Sequence, residues 1–318
     1  TGGSNTFIGN FAGNNNNASY NTFVGYGSGT YNTTGAFNTL LGNYSGQYNT
    51  TGNRNTYLGM YTGNGKEGAS TGSDNTFIGY QAGYRNETGY KNFFLGGYAG
   101  AYNTTGYYNF FVGYQAGYRN TIGTGNTFLG NLAGAYNTNG THNIFIGYAA
   151  GIGNTTGKQN AYIGDYAGFS NISGVGNVFI GYLAGYNETG SNKLYIDNSN
   201  TATPLIYGDF ATNSVIINGS FSYTSSREYK DDINDLSGKE AMDTLAGLKP
   251  VKYVFKTDPN EQQLGFIAED VPDLVATNDH KRVSAMDFVA VLTKVVQEQQ
   301  KTIAGLQTEL NELKDKIK

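Results

Sequence analysis

Two residues in one short polar segment have side chains suited to covalent chemistry. Ser225 and Lys230 lie five positions apart in residues 225–233, SSREYKDDI. A serine hydroxyl becomes a nucleophile when a nearby base accepts its proton, and a lysine whose pKa is lowered by burial can be that base. A serine ahead of acidic residues is also common at the start of a helix, where it caps the first turn. On spacing alone both interpretations stay open, a catalytic pair or a helix cap.

Other kinds of reactive site are not indicated. His142 and His280 are isolated from partners at metal-binding spacing, and the sequence contains no cysteine. The Gly-x-Gly at residues 151–153 follows no strand–helix unit, so it does not predict a phosphate-binding loop. The carboxylates of the glycine-rich part are scattered and offer few pairs for sugar cleavage. We therefore expect no metal site, no cofactor and no metabolic activity.

The chain has two parts of different composition, and the change falls near Ser225. Residues 1–224 contain 14 charged residues and 43 glycines, whereas residues 225–318 contain 30 charged residues and 4 glycines. The net charge is -4 and no block of Lys or Arg occurs, so nucleic acid is not an expected partner. No run of about 18 apolar residues exists, so no membrane insertion is predicted. Because the chain begins inside a repeat, we expect it to be part of a longer protein.

The glycine-rich part is a repeat of 17 residues. The pentapeptide Asn-Thr-Phe-Ile-Gly at residues 5–9 is the first of eleven related copies, with one shorter spacing of 16 and one longer spacing of 20. Its third position is aromatic in ten copies, and its fourth is always Ile, Val or Leu. Such stretches between Gly and Asn turns are typical of strands, and a fixed period indicates units stacked on one another. The prediction is a β-roll or β-solenoid over residues 1–190, on the order of 50 Å long.

This repeat resembles the heads of trimeric autotransporter adhesins, whose coils carry a similar small-apolar-Ile-Gly motif. The resemblance covers about residues 1–190, and those heads have a shorter coil. It implies that three rolls pack side by side and that one ladder of side chains is buried between chains. Residues 191–224 break the period, and we interpret them as a β neck of short strands.

Residues 225–233 resemble the opening motif of the endosialidase-type C-terminal intramolecular chaperone, a self-cleaving domain at the end of phage tail fibres and tailspikes. Residues 248–253 (LKPVKY) and 265–272 (GFIAEDVP) follow in the order of that family. The resemblance implies an α+β chaperone domain over residues 225–288. It also implies that Ser225 attacks the carbonyl of Thr224 with Lys230 as base, which would split the Thr224–Ser225 bond. Ser226 and Glu228 stand where the commonest family pattern has Asp and Arg.

Residues 289–318 predict a coiled-coil helix. Apolar residues alternate at steps of three and four, which is a heptad seam: Val289, Leu292, Val296, Ile303, Leu306, Leu310, Leu313 and Ile317, with Gln299 in the same seam. Ile at one core position and Leu at the other favour a dimer on the usual rules, and Gln299 leaves the number open. The choice of three strands follows from the family resemblance.

Together these observations predict a mainly β homotrimer that attaches to a receptor and carries its own chaperone. The expected partners are copies of itself and a cell-surface glycan or protein receptor. The expected location is extracellular, on a virion tail, an injection particle or a cell surface. The alternative is an ice- or glycan-surface binder that uses Thr-rich turns such as Thr33–Thr34 as a flat array. The turn residues vary along the chain, for example Glu87 and Ile122, which favours the fibre.

Overall fold

The computed structural model describes residues 2–256 and 258–317. The chain forms two compact units, Thr1–Phe221 and Ser222–Lys318.

The first unit is a β-solenoid whose coils each contribute one three-residue strand. Within the described residues, eleven such strands pair in parallel and in sequence order, and equivalent positions of successive copies lie opposite each other. The prediction of stacked parallel coils is thereby confirmed. The strands are β1 (Thr6–Ile8), β2 (Thr22–Val24), β3 (Thr39–Leu41), β4 (Thr56–Leu58), β5 (Thr76–Ile78), β6 (Phe93–Leu95), β7 (Phe110–Val112), β8 (Thr127–Leu129), β9 (Ile144–Ile146), β10 (Ala161–Ile163) and β11 (Val178–Ile180).

The core of the solenoid is a column formed by the middle residue of each strand, which is an aromatic ring in every strand but β3, where it is Leu40. From β2 to β11 these side chains are at most 3% exposed. Successive rings stack almost parallel, as Phe94 and Phe111 do with centroids 4.8 Å apart. That distance is the spacing of neighbouring strands, so the ring geometry follows from stacking identical coils. A small residue and a glycine, such as Ala99 and Gly100, cover each ring.

A buried asparagine precedes each of the strands β2–β11 and links three coils. In a representative coil, Asn109 donates its backbone N–H to Asn92 Oδ1 at 3.0 Å, and its Nδ2 donates to Gly123 O at 2.8 Å. Its own Oδ1 accepts the backbone N–H of Asn126. These bonds satisfy amide groups that would otherwise be costly to bury. The sequence pattern had been interpreted through the aromatic and glycine positions, and this ladder was not predicted. Its buried members are Asn21, Asn38, Asn55, Asn75, Asn92, Asn109, Asn126, Asn143, Asn160 and Asn177.

A second asparagine ladder runs beside the first, along the Asn-x-Thr-Gly turn that precedes each strand, and both ladders donate to the same glycine carbonyl. Asn120 Nδ2 donates to Asn103 Oδ1 at 2.8 Å and to Gly123 O at 3.0 Å. The glycine that ends this turn has little space around it, because a Cβ on Gly106 would lie 2.4 Å from Gly123 O. The glycine of the Asn-x-Thr-Gly pattern is therefore required for close packing of neighbouring coils as well as for the turn.

The solenoid is followed by three longer strands. β12 (Lys193–Ile196) continues the parallel sheet from β11, whereas β13 (Ile206–Asp209) and β14 (Ser214–Ile217) pair in antiparallel fashion. Lys193 Nζ lies 2.5 Å from Asp209 Oδ2 across β12 and β13. This ion pair holds the pKa of the Asp209 carboxyl below its usual range.

The second unit combines two helices with a two-stranded sheet. Helix α1 (Gly238–Gly247) begins with a reciprocal cap between Ser237 and Glu240. Strands β15 (Val251–Phe255) and β16 (Asp258–Gly265) form an antiparallel pair, and helix α2 spans Ala285–Ile317. Short 3-10 turns lie at Arg227–Tyr229, Ala268–Asp270 and Asp273–Val275. The small core consists of Ala241, Val271, Val275, Val291 and Val295.

We expect alanine substitutions at two glycines of neighbouring coils to have opposite consequences. Gly113 has φ +137°, and a Cβ there would lie 2.5 Å from the backbone of Gly130. Gly113→Ala should therefore lower the free energy of unfolding by about 2 kcal/mol or more. Gly97 has an ordinary φ, and a Cβ would only approach the Tyr114 ring at 3.5 Å. Gly97→Ala should leave stability unchanged or raise it by up to about 1 kcal/mol.

Urea unfolding followed by tyrosine fluorescence measures both variants. Equal losses for Gly113→Ala and Gly97→Ala would contradict the close approach of neighbouring coils at the strand glycines.

Candidate functional site

The structure brings the two predicted reactive side chains into contact. Lys230 Nζ donates a hydrogen bond to Ser225 Oγ at 2.7 Å. The 3-10 turn Arg227–Tyr229 lies between the two residues and bends the chain, so their side chains meet although they are five positions apart. The backbone N–H of Lys230 donates to Arg227 O at 3.2 Å and closes that turn. A nucleophile and a base at this distance meet the geometric condition for proton transfer.

The cap of this turn is the neighbouring serine. Ser226 Oγ accepts the backbone N–H of Glu228 at 3.3 Å, in extended backbone ahead of the turn. Ser225 therefore stands one position before the cap. Its hydroxyl is engaged by the lysine.

Both side chains are exposed to solvent in the single chain. Within residues 2–256 and 258–317, Lys230 takes part in none of the ion pairs. A lysine acts as a base only in its neutral form, which exclusion of water favours. The distance between the atoms thus suits catalysis, whereas the exposure of both side chains in the single chain leaves them open to water. The catalytic role of Ser225 and Lys230 stays a prediction.

Comparison with known proteins bears on this segment. Residues 225–279 match the family model described as chaperone of endosialidase. The match begins at Ser225 and includes Lys230, α1 and the β15–β16 hairpin. No curated protein and no solved structure matches the chain. We refer to the second unit as the chaperone-like unit.

The two histidines lie in separate surroundings. His280 Nε2 is 3.1 Å from Asp273 Oδ1 in the chaperone-like unit, and His142 belongs to a solenoid coil. Within the described part of the chain, no three His, Asp or Glu side chains converge in a group that could hold a metal ion. Within the same residues, no helix combines the length and apolar character needed to span a membrane.

Sequence reasoning considered only the strand aromatics and missed a second set on the outer surface. Tyr102, Tyr118 and Tyr136 lie on the turns of successive coils, and Arg85 and Arg119 lie over tyrosine rings. A signal for them was present, since the turn sequence alternates between AGYRN and AGAYN at residues 82–86, 99–103, 116–120 and 133–137.

We predict that Ser225→Ala and Lys230→Ala each stop the release of the 94-residue C-terminal fragment, residues 225–318. Ser225→Ala removes the nucleophile, and Lys230→Ala removes the group that accepts its proton. Ser226→Ala is the matched control, because it removes an adjacent hydroxyl that only caps the turn. Intact-mass measurement of purified protein over time detects the fragment.

Fragment release from Ser225→Ala would show that the nucleophile has been assigned wrongly. An uncleaved wild-type chain would show that the pair is not active. Assembly of all three variants should be unaffected, since none of these side chains lies in the helical seam.

Proposed function

We propose that this protein is a trimeric attachment fibre whose C-terminal unit drives trimerisation and releases itself by cleavage before Ser225. The observation that carries the proposal is the order of parts in one chain. A β-solenoid is followed, after the short strands β12–β14, by a segment that matches the chaperone of endosialidase model. Attachment to a cell-surface receptor and an extracellular location are parts of the same proposal.

The seam of α2 supports association through the C-terminal unit. Helix α2 buries Val291 and Val295 against the core of its own unit. Its apolar heptad residues are 46–80% exposed: Val289, Leu292, Val296, Ile303, Leu306, Leu310, Leu313 and Ile317. An apolar stripe of this length on one helix is typical of a surface that packs against another helix. The heptad repeat favours packing against a copy of the same helix, because the core residues of the two helices then have equal spacing and interlock.

A second apolar surface supports lateral association of the solenoids. The residue that ends each of β1–β11 is aliphatic, and none of these side chains is buried. We call this row the aliphatic strip: Ile8, Val24, Leu41, Leu58, Ile78, Leu95, Val112, Leu129, Ile146, Ile163 and Ile180. An exposed apolar patch this long marks an interaction surface. The side chains of the aliphatic strip repeat at the spacing of neighbouring strands. The same strip on a second copy of the chain has the same spacing, so the two strips can pack together in register.

Assembly order gives the chaperone-like unit its function in this proposal. Parallel pairing of coils is non-local and slow, and unpaired strand edges aggregate. Three chains that first associate through α2 hold their solenoids at a high effective concentration. Packing of the aliphatic strips then becomes a local event. Cleavage before Ser225 would make that order irreversible.

The Thr-rich turns give little support to the ice-binding alternative. Thr104 and Thr121 each direct Oγ1 to a carbonyl of the next coil, at 3.0 and 3.1 Å. Their hydroxyl protons are therefore used in hydrogen bonds between coils. Glu87 and Ile122 interrupt the row at neighbouring turn positions. An ice-growth assay on residues 1–224 should give no inhibition.

We expect a single charge in the seam to abolish assembly. Ile303→Lys places an ammonium in the heptad core, where desolvation is costly, so light scattering should give less than three times the 34.1 kDa chain mass. Thr308→Lys is the control, because residue 308 lies on the helix face opposite the seam and adds the same charge. A trimeric mass for Ile303→Lys would exclude the seam as the assembly surface.

Deletion of residues 225–318 before synthesis should produce insoluble or monomeric solenoid. Removal of the same residues by protease after folding should leave a stable trimer, since the aliphatic strips are then already packed. Solubility and light scattering distinguish the two preparations. Soluble trimer from the truncated gene would show that the C-terminal unit is not needed for assembly.

A further inference from the structure

Four consecutive coils carry an alternating row of guanidinium groups and tyrosine rings on their outer surface. Arg85, Tyr102, Arg119 and Tyr136 occupy the same coil position, six residues after the glycine that follows each strand. We call this row the arginine–tyrosine strip. Arg85 Cζ lies 4.8 Å from the centre of the Tyr102 ring, and Arg119 Cζ lies 5.1 Å from that of Tyr136. Each ring thus lies under the guanidinium of the preceding coil in a cation–π contact.

Grooves open beside this strip. One of about 290 Å³ is lined by Tyr102, Tyr118, Arg119, Thr121 and Thr138. Tyr118 meets Tyr102 edge to face at 4.9 Å, and a hydrogen bond with Tyr102 raises the pKa of Tyr118. Two coils earlier, a groove of about 370 Å³ is lined by Gly65, Lys66, Tyr84, Arg85 and Glu87. Each groove therefore presents a tyrosine and an arginine from the same positions of the coil.

The two arginines have donors to spare. Arg54 and Lys193 of the same unit are paired with Asp74 and Asp209. Arg85 and Arg119 form no ion pair with any residue that the structure describes. A cation–π contact does not use a hydrogen-bond acceptor, so it leaves guanidinium N–H groups available to other acceptors. The edge of a guanidinium matches the two oxygens of a carboxylate.

The threonines of the groove around Arg119 offer acceptors. Thr121 Oγ1 donates to Thr138 O, and Thr138 Oγ1 donates to Thr155 O at 3.0 Å. Because each hydroxyl proton is already used, the remaining lone pairs can only accept hydrogen bonds. A ligand that fits this groove carries hydroxyl donors as well as an anionic group. No carboxylate is among the five residues that line it.

We propose that the arginine–tyrosine strip binds a linear polysaccharide that carries carboxylates. This inference rests on the proposed attachment function and names its ligand class. Sugar rings pack against Tyr84 and Tyr118, which line the grooves beside the strip. Sugar hydroxyls donate to the threonine oxygens, and carboxylates pair with Arg85 and Arg119. Those arginines are two coils apart, about 10 Å at strand spacing, so an extended polymer along the strip reaches both.

The test uses the whole chain and polygalacturonate, with fully methyl-esterified polygalacturonate as the uncharged probe. Titration calorimetry should detect binding of the acid form and weaker binding of the ester. Arg85→Gln combined with Arg119→Gln should weaken binding of the acid form at least about tenfold, since two charge-assisted contacts are lost. The control is Arg54→Gln, which removes an arginine that is already paired with Asp74 and should change the affinity less than twofold. Thermal unfolding of each variant checks that the fold is kept.

Three results would overturn the inference: no binding of polygalacturonate, equal binding of acid and ester, or an unchanged affinity in the double variant. Tighter binding of a single-stranded oligonucleotide than of polygalacturonate would also overturn it. The proposed attachment function is tested separately. Light scattering measures assembly, and a cell-binding assay measures attachment of the chain to cells. A monomeric chain that still binds the polymer would refute the fibre and leave the strip as a site.

Discussion

Every coil of the solenoid depends on the next coil for its buried hydrogen bonds. The amide of Asn109 bonds one coil back through its backbone N–H and one coil forward through Nδ2. A shift of register by one residue would leave such buried amides without partners, at a cost of about 1–3 kcal/mol each. The ring column imposes the same register, because each ring lies directly over its equivalent. The period of 17 is therefore a hydrogen-bonding constraint more than a strand-length preference.

The single long spacing shows how strictly this constraint is kept. Between β4 and β5 the chain has three extra residues, yet Asn75 still donates its backbone N–H to Asn55 Oδ1 at 3.0 Å. The extra residues form a local loop in which Ser70 Oγ accepts the backbone N–H of Lys66 at 2.8 Å. Ser70 also bridges to Asn49 of the preceding coil. The hydrogen bonds between the asparagines that precede the strands are therefore kept across the insertion, and the irregularity is confined to the outer turn.

The parallel register and the ring column could be predicted, because both are set by strict repetition of side-chain type at one position. The asparagine ladders could not be separated from ordinary turn chemistry, since Asn before a strand favours a turn as well. Left-handed backbone favours glycine, yet Tyr98 and Tyr108 have φ of 59° and 56°. Inter-coil hydrogen bonds from Tyr98 N and Tyr108 N hold them there. The Ser225–Lys230 pair came from a family resemblance, and only the 3-10 turn shows why five residues suffice.

The repeat of the fold and the repeat of the arginine–tyrosine strip have different lengths. Folding requirements act on every coil alike, so the ring, the asparagines and the strand glycine recur at each 17-residue step. The turn sequences AGYRN and AGAYN instead alternate, which is a period of two coils. Local packing accounts for part of it, because a small Ala101 beside Tyr102 leaves room for Tyr118 of the next coil. A small residue in one coil beside a tyrosine of the next is a requirement on pairs of coils, so this outer alternation has a period of two coils. The ring column and the asparagine ladders place like on like, so their period is one coil.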